Sequence, residues 1–203
     1  MRGFLRFIIL LILTSFFATC GGDVSKSGHS GLIKQSLVLS NDLQLTTDAS
    51  DQSNPSVAYD PVNNKYLVVW VDYRNYNNNG TDIYGRLCGT ELASGNCNGT
   101  EFPIASNTSM ELEPQVAFDP QNRQYLVVWT DGTNKKIRGQ YIDASGNLSG
   151  TAFDLVTTNT PSQPSLVYNK VTGKFIMAWR EESNNEDINN SVNLQGSKCS
   201  NSY

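Results

Sequence analysis

The chain has 203 residues, of which 15 are basic and 19 acidic, giving a formal charge of −4 at neutral pH. An acidic, polar chain repels phosphate groups, so this balance argues against nucleic acid as a partner and against broad electrostatic attachment to anionic lipid. The length suits one domain or one set of repeats.

The first 19 residues have the layout of a secretory signal. Arg2 and Arg6 form a basic start, residues 7–17 are an uncharged apolar run, and Ala18 and Thr19 precede Cys20. As a helix this run spans about 16 Å, too little for the ~30 Å hydrocarbon core of a bilayer. We therefore predict that residues 1–19 are removed, which leaves 13 basic and 19 acidic residues and a formal charge of −6.

The segment Phe17-Ala18-Thr19-Cys20 resembles the lipobox of bacterial lipoproteins, and spirochaete-type lipoproteins tolerate its looser Phe17 and Thr19. The resemblance implies lipidation of Cys20 and anchoring of the chain to a membrane through acyl chains. The alternative is an ordinary secreted protein that is cut near Ala18 and keeps Cys20 as a free thiol. Gly21, in place of the aspartate that enteric bacteria use for inner-membrane retention, favours the outer membrane or cell surface.

Residues 20–39 connect the predicted lipid to the rest of the chain. They begin with Gly, Ser and Lys and show no sustained period, which predicts a flexible tether. A β domain is predicted to follow over residues 40–203.

An internal repeat organises this domain. Three eighteen-residue segments align without gaps from Pro55, Pro114 and Pro164, and they read PSVAYDPVNNKYLVVWVD, PQVAFDPQNRQYLVVWTD and PSLVYNKVTGKFIMAWRE. A fixed period of this kind indicates repeated structural units. The units extend over about 55–105, 114–156 and 164–203.

Each unit is predicted to contain four short antiparallel strands. The segment YLVVWV is apolar on both faces and typical of a buried central strand. DIYGRL at 82–87 and EFPIA at 101–105 supply the third and fourth strands of the first unit, and NDLQLTT at 41–47 resembles another fourth strand. Because the mature chain shows no sustained helical period, the predicted fold class is all-β.

Four strands recurring about every 50 residues, with a tryptophan in the second strand, resemble the blades of a β-propeller, the broad class that includes kelch and tryptophan-containing repeats. The resemblance implies about three blades, fewer than a closed ring normally has. Two interpretations stay open. Two chains form a six-bladed homodimeric ring, or this chain is a shortened form of a longer array.

The cysteines fit an exported protein. Cys88 and Cys97 lie nine residues apart in one loop region, which predicts a local disulfide in an oxidising compartment. Cys199 has no partner in this scheme. A cysteine equivalent to Cys97 would fall beyond Tyr203, which favours the longer array.

Residues for nucleophilic or metal chemistry are scarce. The single histidine, His29, lies in the tether, so the domain offers no Ser-His-Asp group and no histidine-based metal site, and it has no phosphate loop. We predict a non-enzymatic protein without metal or cofactor. A glycosidase needs only carboxylates, so a carbohydrate-active protein or lectin stays an alternative.

The best carboxylate candidates are Asp72, Asp131 and Glu181, each two residues after the repeat tryptophan. On a propeller they would recur at one rim, where a ring of acids binds a cation or a sugar hydroxyl. The interpretation we favour is that they finish a strand and cap the next turn. The tryptophans themselves are predicted to be core residues because they lie inside apolar strands.

A second candidate site is the cluster of Tyr73, Arg74 and Tyr76, which lies in the longest loop after a tryptophan strand. Tyr and Arg are enriched at binding hot spots. The competing interpretation is a solvated loop without a binding role.

These features together predict a lipid-anchored binding protein of the envelope with a protein or glycan ligand. The resemblance to spirochaete-type surface lipoproteins implies an adhesin for host matrix proteins such as laminin, or for plasminogen. The alternatives are a structural module of an envelope complex and a glycan-binding lectin.

Overall fold

The computed structural model describes residues 44–89, 97–157, 160–181 and 193–199, the last range as backbone. The predictions on the signal peptide, Cys20 and the tether lie outside these residues. Eleven strands are described: β1 Gln52–Asp60, β2 Lys65–Asp72, β3 Asp82–Cys88, β4 Glu101–Ala105, β5 Glu111–Asp119, β6 Gln124–Asp131, β7 Lys136–Asp143, β8 Leu148–Val156, β9 Pro161–Asn169, β10 Lys174–Glu181 and β11 Asn193–Cys199.

The strands form three antiparallel sheets, one for each sequence repeat. Sheet 1 has the order β1-β2-β3-β4, sheet 2 has the order β5-β6-β7-β8, and sheet 3 contains β9, β10 and β11 with β10 in the middle. The prediction of an all-β fold made of four-stranded antiparallel units is therefore confirmed for sheets 1 and 2. Sheet 3 has three strands among the described residues.

Helical structure is limited to the single turn α1, Tyr76–Asn79, in the part of the chain that the structure describes. The same residues contain no helix with the length and apolarity needed to cross a membrane. Residues 44–48 are not in a strand, in contrast to the prediction of a strand over 41–47.

The turn between the first and second strand of each sheet is capped by its own side chain. Asp60 Oδ1 accepts hydrogen bonds from the backbone N–H groups of Val62 and Asn63, at 2.8 and 3.1 Å. Asp119 and Asn169 make the same pair of bonds in the other two turns. The same turn cap therefore recurs at the equivalent position of all three repeats.

The sheets are stacked in chain order and always in the same sense. Side chains alternate between the two sides of a strand, so each sheet has a tryptophan face, carrying Trp70, Trp129 or Trp179, and a leucine face, carrying Leu67, Leu126 or Ile176. The leucine face of sheet 1 packs on the tryptophan face of sheet 2. The leucine face of sheet 2 packs on the tryptophan face of sheet 3.

All three repeat tryptophans are buried, as the sequence predicts for core residues. Trp129 lies in the core between sheets 1 and 2, and Trp179 lies in the core between sheets 2 and 3. Trp70 points in the same direction as the other two, to the outer side of sheet 1, where Leu45, Cys88 and Cys97 cover it. The stack thus repeats one packing arrangement along the chain.

The first strands of the three sheets are neighbours in space: β1 packs against β5, and β5 packs against β9. The hydroxyl of Ser56 on β1 accepts a hydrogen bond from the Val116 N–H on β5 at 3.3 Å. Each first strand has an irregular register at the proline that opens its repeat, between Ser53 and Ser56 in β1 and between Leu112 and Gln115 in β5. These bulges bring equivalent residues of the repeats together.

Candidate functional site

The carboxylates that follow the repeat tryptophans are buried rather than arranged on an open rim. Asp72, Asp131 and Glu181 are 0%, 1% and 6% exposed. Trp70 Nε1 donates to Asp72 Oδ2 at 3.0 Å, and Trp179 Nε1 donates to Glu181 Oε1 at 3.0 Å. In sheets 1 and 3 the acid therefore satisfies the indole N–H of its own strand.

Asp131 makes a different set of bonds. Its Oδ1 accepts the backbone N–H of Asn134 at 2.9 Å, and the Asn134 side chain donates to both carboxylate oxygens. Trp129 Nε1 is buried and has no hydrogen-bond partner in the described part of the chain. Asp131 thus caps the turn after its strand.

The Arg74 side chain forms hydrogen bonds with carboxylates of sheet 1. Its Nε and Nη2 donate to the two oxygens of Asp72, both at 2.8 Å, and Nη2 also donates to Glu101 Oε2 at 2.7 Å. The guanidinium lies 4.0 Å from the centre of the Tyr84 ring. Hydrogen bonding to Asp72 raises the pKa of Arg74. A bidentate, partly buried pair of this kind links the loop to the sheet.

The two tyrosines of the predicted cluster differ in exposure. Tyr73 packs against the core between sheets 1 and 2. Tyr76, in α1, is 51% exposed, and its ring centre lies 5.8 Å from that of Tyr73. Of the three residues, Tyr76 therefore offers the most surface to a partner.

The predicted disulfide is confirmed: Cys88 and Cys97 are bonded. Both are buried and pack with Leu45, Val68 and Trp70 on the tryptophan face of sheet 1. The bridge joins the end of β3 to the chain before β4 on that face. The side chain of Cys199 lies outside the described residues.

A buried acid that the sequence did not single out lies where sheets 1 and 2 meet. Glu111 opens β5 beside Asp131, and its backbone exchanges hydrogen bonds with Thr81, which precedes Asp82. The side chain is 0% exposed, and both carboxyl oxygens lack a hydrogen-bond partner within the described residues. Burial, with the nearby Asp82 and Asp131 carboxylates, raises the pKa of Glu111 to about 8. Its surroundings thus favour the protonated, uncharged form of Glu111.

A cleft of about 300 Å³ opens where the three first strands meet, and we call it the first-strand cleft. Each repeat contributes to it the residue that precedes the repeat proline. The lining residues are Asn54, Pro55, Glu113, Gln115, Gln163 and Pro164. The fold therefore brings together residues that are about 50 and 59 positions apart in sequence.

Three residues of the cleft share an unusual backbone. Asn54, Glu113 and Gln163 have φ values of 50°, 54° and 52°. Residues other than glycine rarely adopt this left-handed conformation, and such strain is concentrated at functional sites. The bulge in each first strand supplies the conformation and turns the pre-proline residue into the cleft.

Glu113 connects neighbouring strands at the cleft by hydrogen bonds. Its Oε2 accepts the Gln163 backbone N–H at 2.7 Å and the Thr130 hydroxyl at 2.9 Å. The remaining lining side chains are amides, which both donate and accept hydrogen bonds. Prolines form the apolar part of the wall. Such a surface can bind a neutral molecule that carries several hydroxyl groups.

Sequence reasoning did not find the first-strand cleft. Its one signal was the polar residue before the proline in each repeat, namely Asn54, Glu113 and Gln163. A residue before proline normally prefers extended backbone, so the left-handed bulges could not be expected from the pattern.

No family model and no curated protein matches this chain. Among solved structures, it is similar to two structures of an exo-β-1,3-galactanase from Phanerochaete chrysosporium with β-1,3-galactotriose. In each comparison the identity is 14%, and the TM-scores are 0.47 and 0.49. The matches cover 71% and 74% of this chain but 34% and 35% of the enzyme. This chain thus spans about a third of the length of that enzyme.

Proposed function

We propose that this protein is a lipid-anchored binding protein of the bacterial envelope, built on a β-propeller-like scaffold, and that its first-strand cleft binds a neutral, hydroxyl-rich ligand such as a glycan. The observation that carries the proposal is the convergence of three repeats on one polar cleft. A glycan on a host matrix protein is one source of such a ligand.

The stacking of the sheets supports the propeller-like scaffold. Adjacent sheets pack face to face, and their first strands lie side by side. In a propeller the first strand of each blade lines the central axis, where ligands bind. The lining of the cleft by first-strand residues alone supports a corresponding place for it in the proposed scaffold.

The chemistry of the lining favours a neutral ligand. Asn54, Gln115 and Gln163 offer amide donors and acceptors, and none of the lining residues is basic. An anionic ligand would therefore meet Glu113 without a compensating cation. The hydroxyl groups of a sugar match the alternating donors and acceptors of amide side chains.

The single carboxylate of the lining supports binding rather than hydrolysis. Glycosidases of the common type use two carboxylates on either side of the scissile bond. Glu113 has no second acid beside it among the residues that line the cleft. We therefore expect bound glycan to be released unchanged.

The proposal is tested by screening the purified protein on a glycan array and measuring the affinity for free saccharides by calorimetry. Asn54→Gly and Gln163→Gly remove one amide each but keep a residue that accepts positive φ. We expect each to weaken binding about tenfold, the cost of one or two lost hydrogen bonds.

Asn64→Gly is the matched control. Asn64 also has positive φ, at 51°, but it lies in the turn between β1 and β2 and not in the cleft. Its substitution should leave the affinity unchanged. Unaltered binding by both cleft variants would reject the first-strand cleft as the site.

A further inference from the structure

The two outer surfaces of the three-sheet stack expose apolar side chains whose repeat equivalents are buried. On the tryptophan face of sheet 1, Val57 and Tyr59 are 48% and 45% exposed. Their equivalents in sheet 2, Val116 and Phe118, are 6% and 7% exposed because they pack on the leucine face of sheet 1. The surface at Val57 and Tyr59 therefore has the apolar residues that, at the equivalent positions of sheet 2, pack against a leucine face.

The opposite end of the stack shows the complementary surface. On the leucine face of sheet 3, Val167 and Ile176 are 57% and 38% exposed. Their equivalents in sheet 2, Ala117 and Leu126, are 8% and 0% exposed because they pack on the tryptophan face of sheet 3. The surface at Val167 and Ile176 therefore has the apolar residues that, at the equivalent positions of sheet 2, pack against a tryptophan face.

The strand edges are complementary in the same way. Leu45 lies ten residues before Pro55, as Ile104 on β4 lies ten residues before Pro114. Leu45 is 1% exposed and packs on the tryptophan face of sheet 1, as Ile104 packs in the core formed with the tryptophan face of sheet 2. Residues 44–48 thus lie where the fourth strand of a preceding sheet would lie.

Sheet 3 presents the three strands that such a fourth strand would join. β11 forms its edge and pairs only with β10 in the part of the chain described. An edge strand presents unpaired backbone N–H and C=O groups and readily accepts another strand. Within the described residues, one end of the stack therefore carries a fourth-strand segment without a sheet, and the other end carries a sheet without a fourth strand.

From these observations we propose that two copies of this chain associate head to tail. The leucine face of sheet 3 in each copy packs on the tryptophan face of sheet 1 in the other, with β11 beside the segment before β1. The partner that fits both surfaces is a second copy of this chain, because the interface between the copies repeats the packing already present between sheets 1, 2 and 3. A head-to-tail contact that closes gives a ring. This inference uses the proposed scaffold but not the proposed ligand.

The test is the mass of the full chain in detergent, measured by native mass spectrometry and by light scattering over a wide range of protein concentration. We expect a dimer. Val167→Glu places a charge in the interface and should raise the dimer dissociation constant on the order of 100-fold, because an unpaired charge is costly to bury. Leu148→Glu is the control, since Leu148 is 47% exposed on β8 of the middle sheet.

A charge pair tests the head-to-tail geometry directly. Combining Val167→Glu with Tyr59→Lys in one chain should recover about tenfold of the lost affinity, because the two substituted surfaces meet across the interface. Both positions are exposed in the single chain, and circular dichroism checks that the variants are folded. Hydrogen exchange at 193–199 should be slower in the dimer than in the Val167→Glu variant.

A chain that is monomeric at every concentration, or a dimer that Val167→Glu leaves intact, overturns the proposal. The measurement needs no ligand, so its outcome is separate from that of the glycan experiment. A monomer that still binds glycan in the first-strand cleft rejects the second copy alone. A dimer that binds no glycan rejects the proposed ligand alone.

Discussion

Glu111 is the residue whose surroundings differ most from those expected of its type. A carboxyl group is usually solvated or hydrogen-bonded, whereas this one is fully buried and both of its oxygens lack partners among the described residues. The equivalent residues in the other repeats are Gln52 and Pro161, which carry no charge. At this position the middle sheet therefore has an acid where the other two sheets have none. The free-energy cost of burying that acid depends on pH.

The sign of that dependence follows from the raised pKa of Glu111. The pKa is about 8 in the folded chain, against an ordinary value of 4.5. Between these values the folded state binds more protons than the unfolded state, so the free energy of unfolding falls as pH rises. We expect a loss on the order of 4 kcal/mol between pH 4.5 and 8.

Glu111→Gln should remove most of this loss, because the amide keeps the shape of the protonated acid and does not ionise. Urea unfolding at several pH values from about 5 to about 8 measures this loss in the free energy of unfolding, because that range lies between the two pKa values. Asp51→Asn is the control, since Asp51 is exposed. An equal decline in stability for the Glu111→Gln variant and the parent chain would contradict the assignment.

At the level of single residues, the sequence predicted side-chain roles where they depend on near neighbours. The turn caps at Asp60, Asp119 and Asn169 need only residues two and three positions ahead, so a local sequence pattern is enough to indicate them. Arg74 is different. Its bond to Glu101 joins residues 27 positions apart, so its role in linking the loop to sheet 1 could not be derived from the local pattern.

The strands could be predicted because the same sequence pattern occurs in each of the three repeats. The predicted central strand is β2, β6 and β10, and every residue of β6 is buried, as the apolar pattern on both faces requires. The segment 41–47 was assigned as a strand from its similarity to β4. Residues 44–48 keep the burial of Leu45 but not the strand pairing, because the described residues contain no preceding sheet whose fourth strand they could form.

The disulfide stabilises the folded state by restricting the unfolded chain between Cys88 and Cys97. The bridged residues are nine apart, and closing a loop of this size contributes about 2–3 kcal/mol. Guanidinium unfolding with and without a reductant should show that difference. Cys199→Ser should show the same difference as the parent chain, because the bond joins Cys88 and Cys97. Equal stability in both conditions would contradict a formed bridge.

The described sheets form a stack in which one packing arrangement occurs twice, from sheet 1 to sheet 2 and from sheet 2 to sheet 3. The repeat in the sequence predicted the units and their order. It did not predict the first-strand cleft, because the cleft depends on how the units are rotated about one another and on left-handed backbone at Asn54, Glu113 and Gln163.

The proposed attachment to a membrane concerns the whole chain and is tested at that level. Cys20→Ser should move the protein from the membrane fraction to the soluble fraction, since the substitution removes the proposed site of acylation. Intact-mass analysis should show that the lipid is lost. Cys199→Ser should leave the protein in the membrane fraction. Retention of the Cys20→Ser variant there would reject the lipid anchor.

The bulges in the first strands have a consequence for engineering. At each bulge the register of the β ladder is interrupted, so the residue before the proline does not set how β1, β5 or β9 pairs with its neighbour. Residues 54 and 163 can therefore be varied together in a combinatorial library of side chains that accept positive φ, glycine among them, while Glu113 is kept for its bonds to the Thr130 hydroxyl and the backbone N–H of residue 163. The scaffold would then act as a template for selecting new specificities.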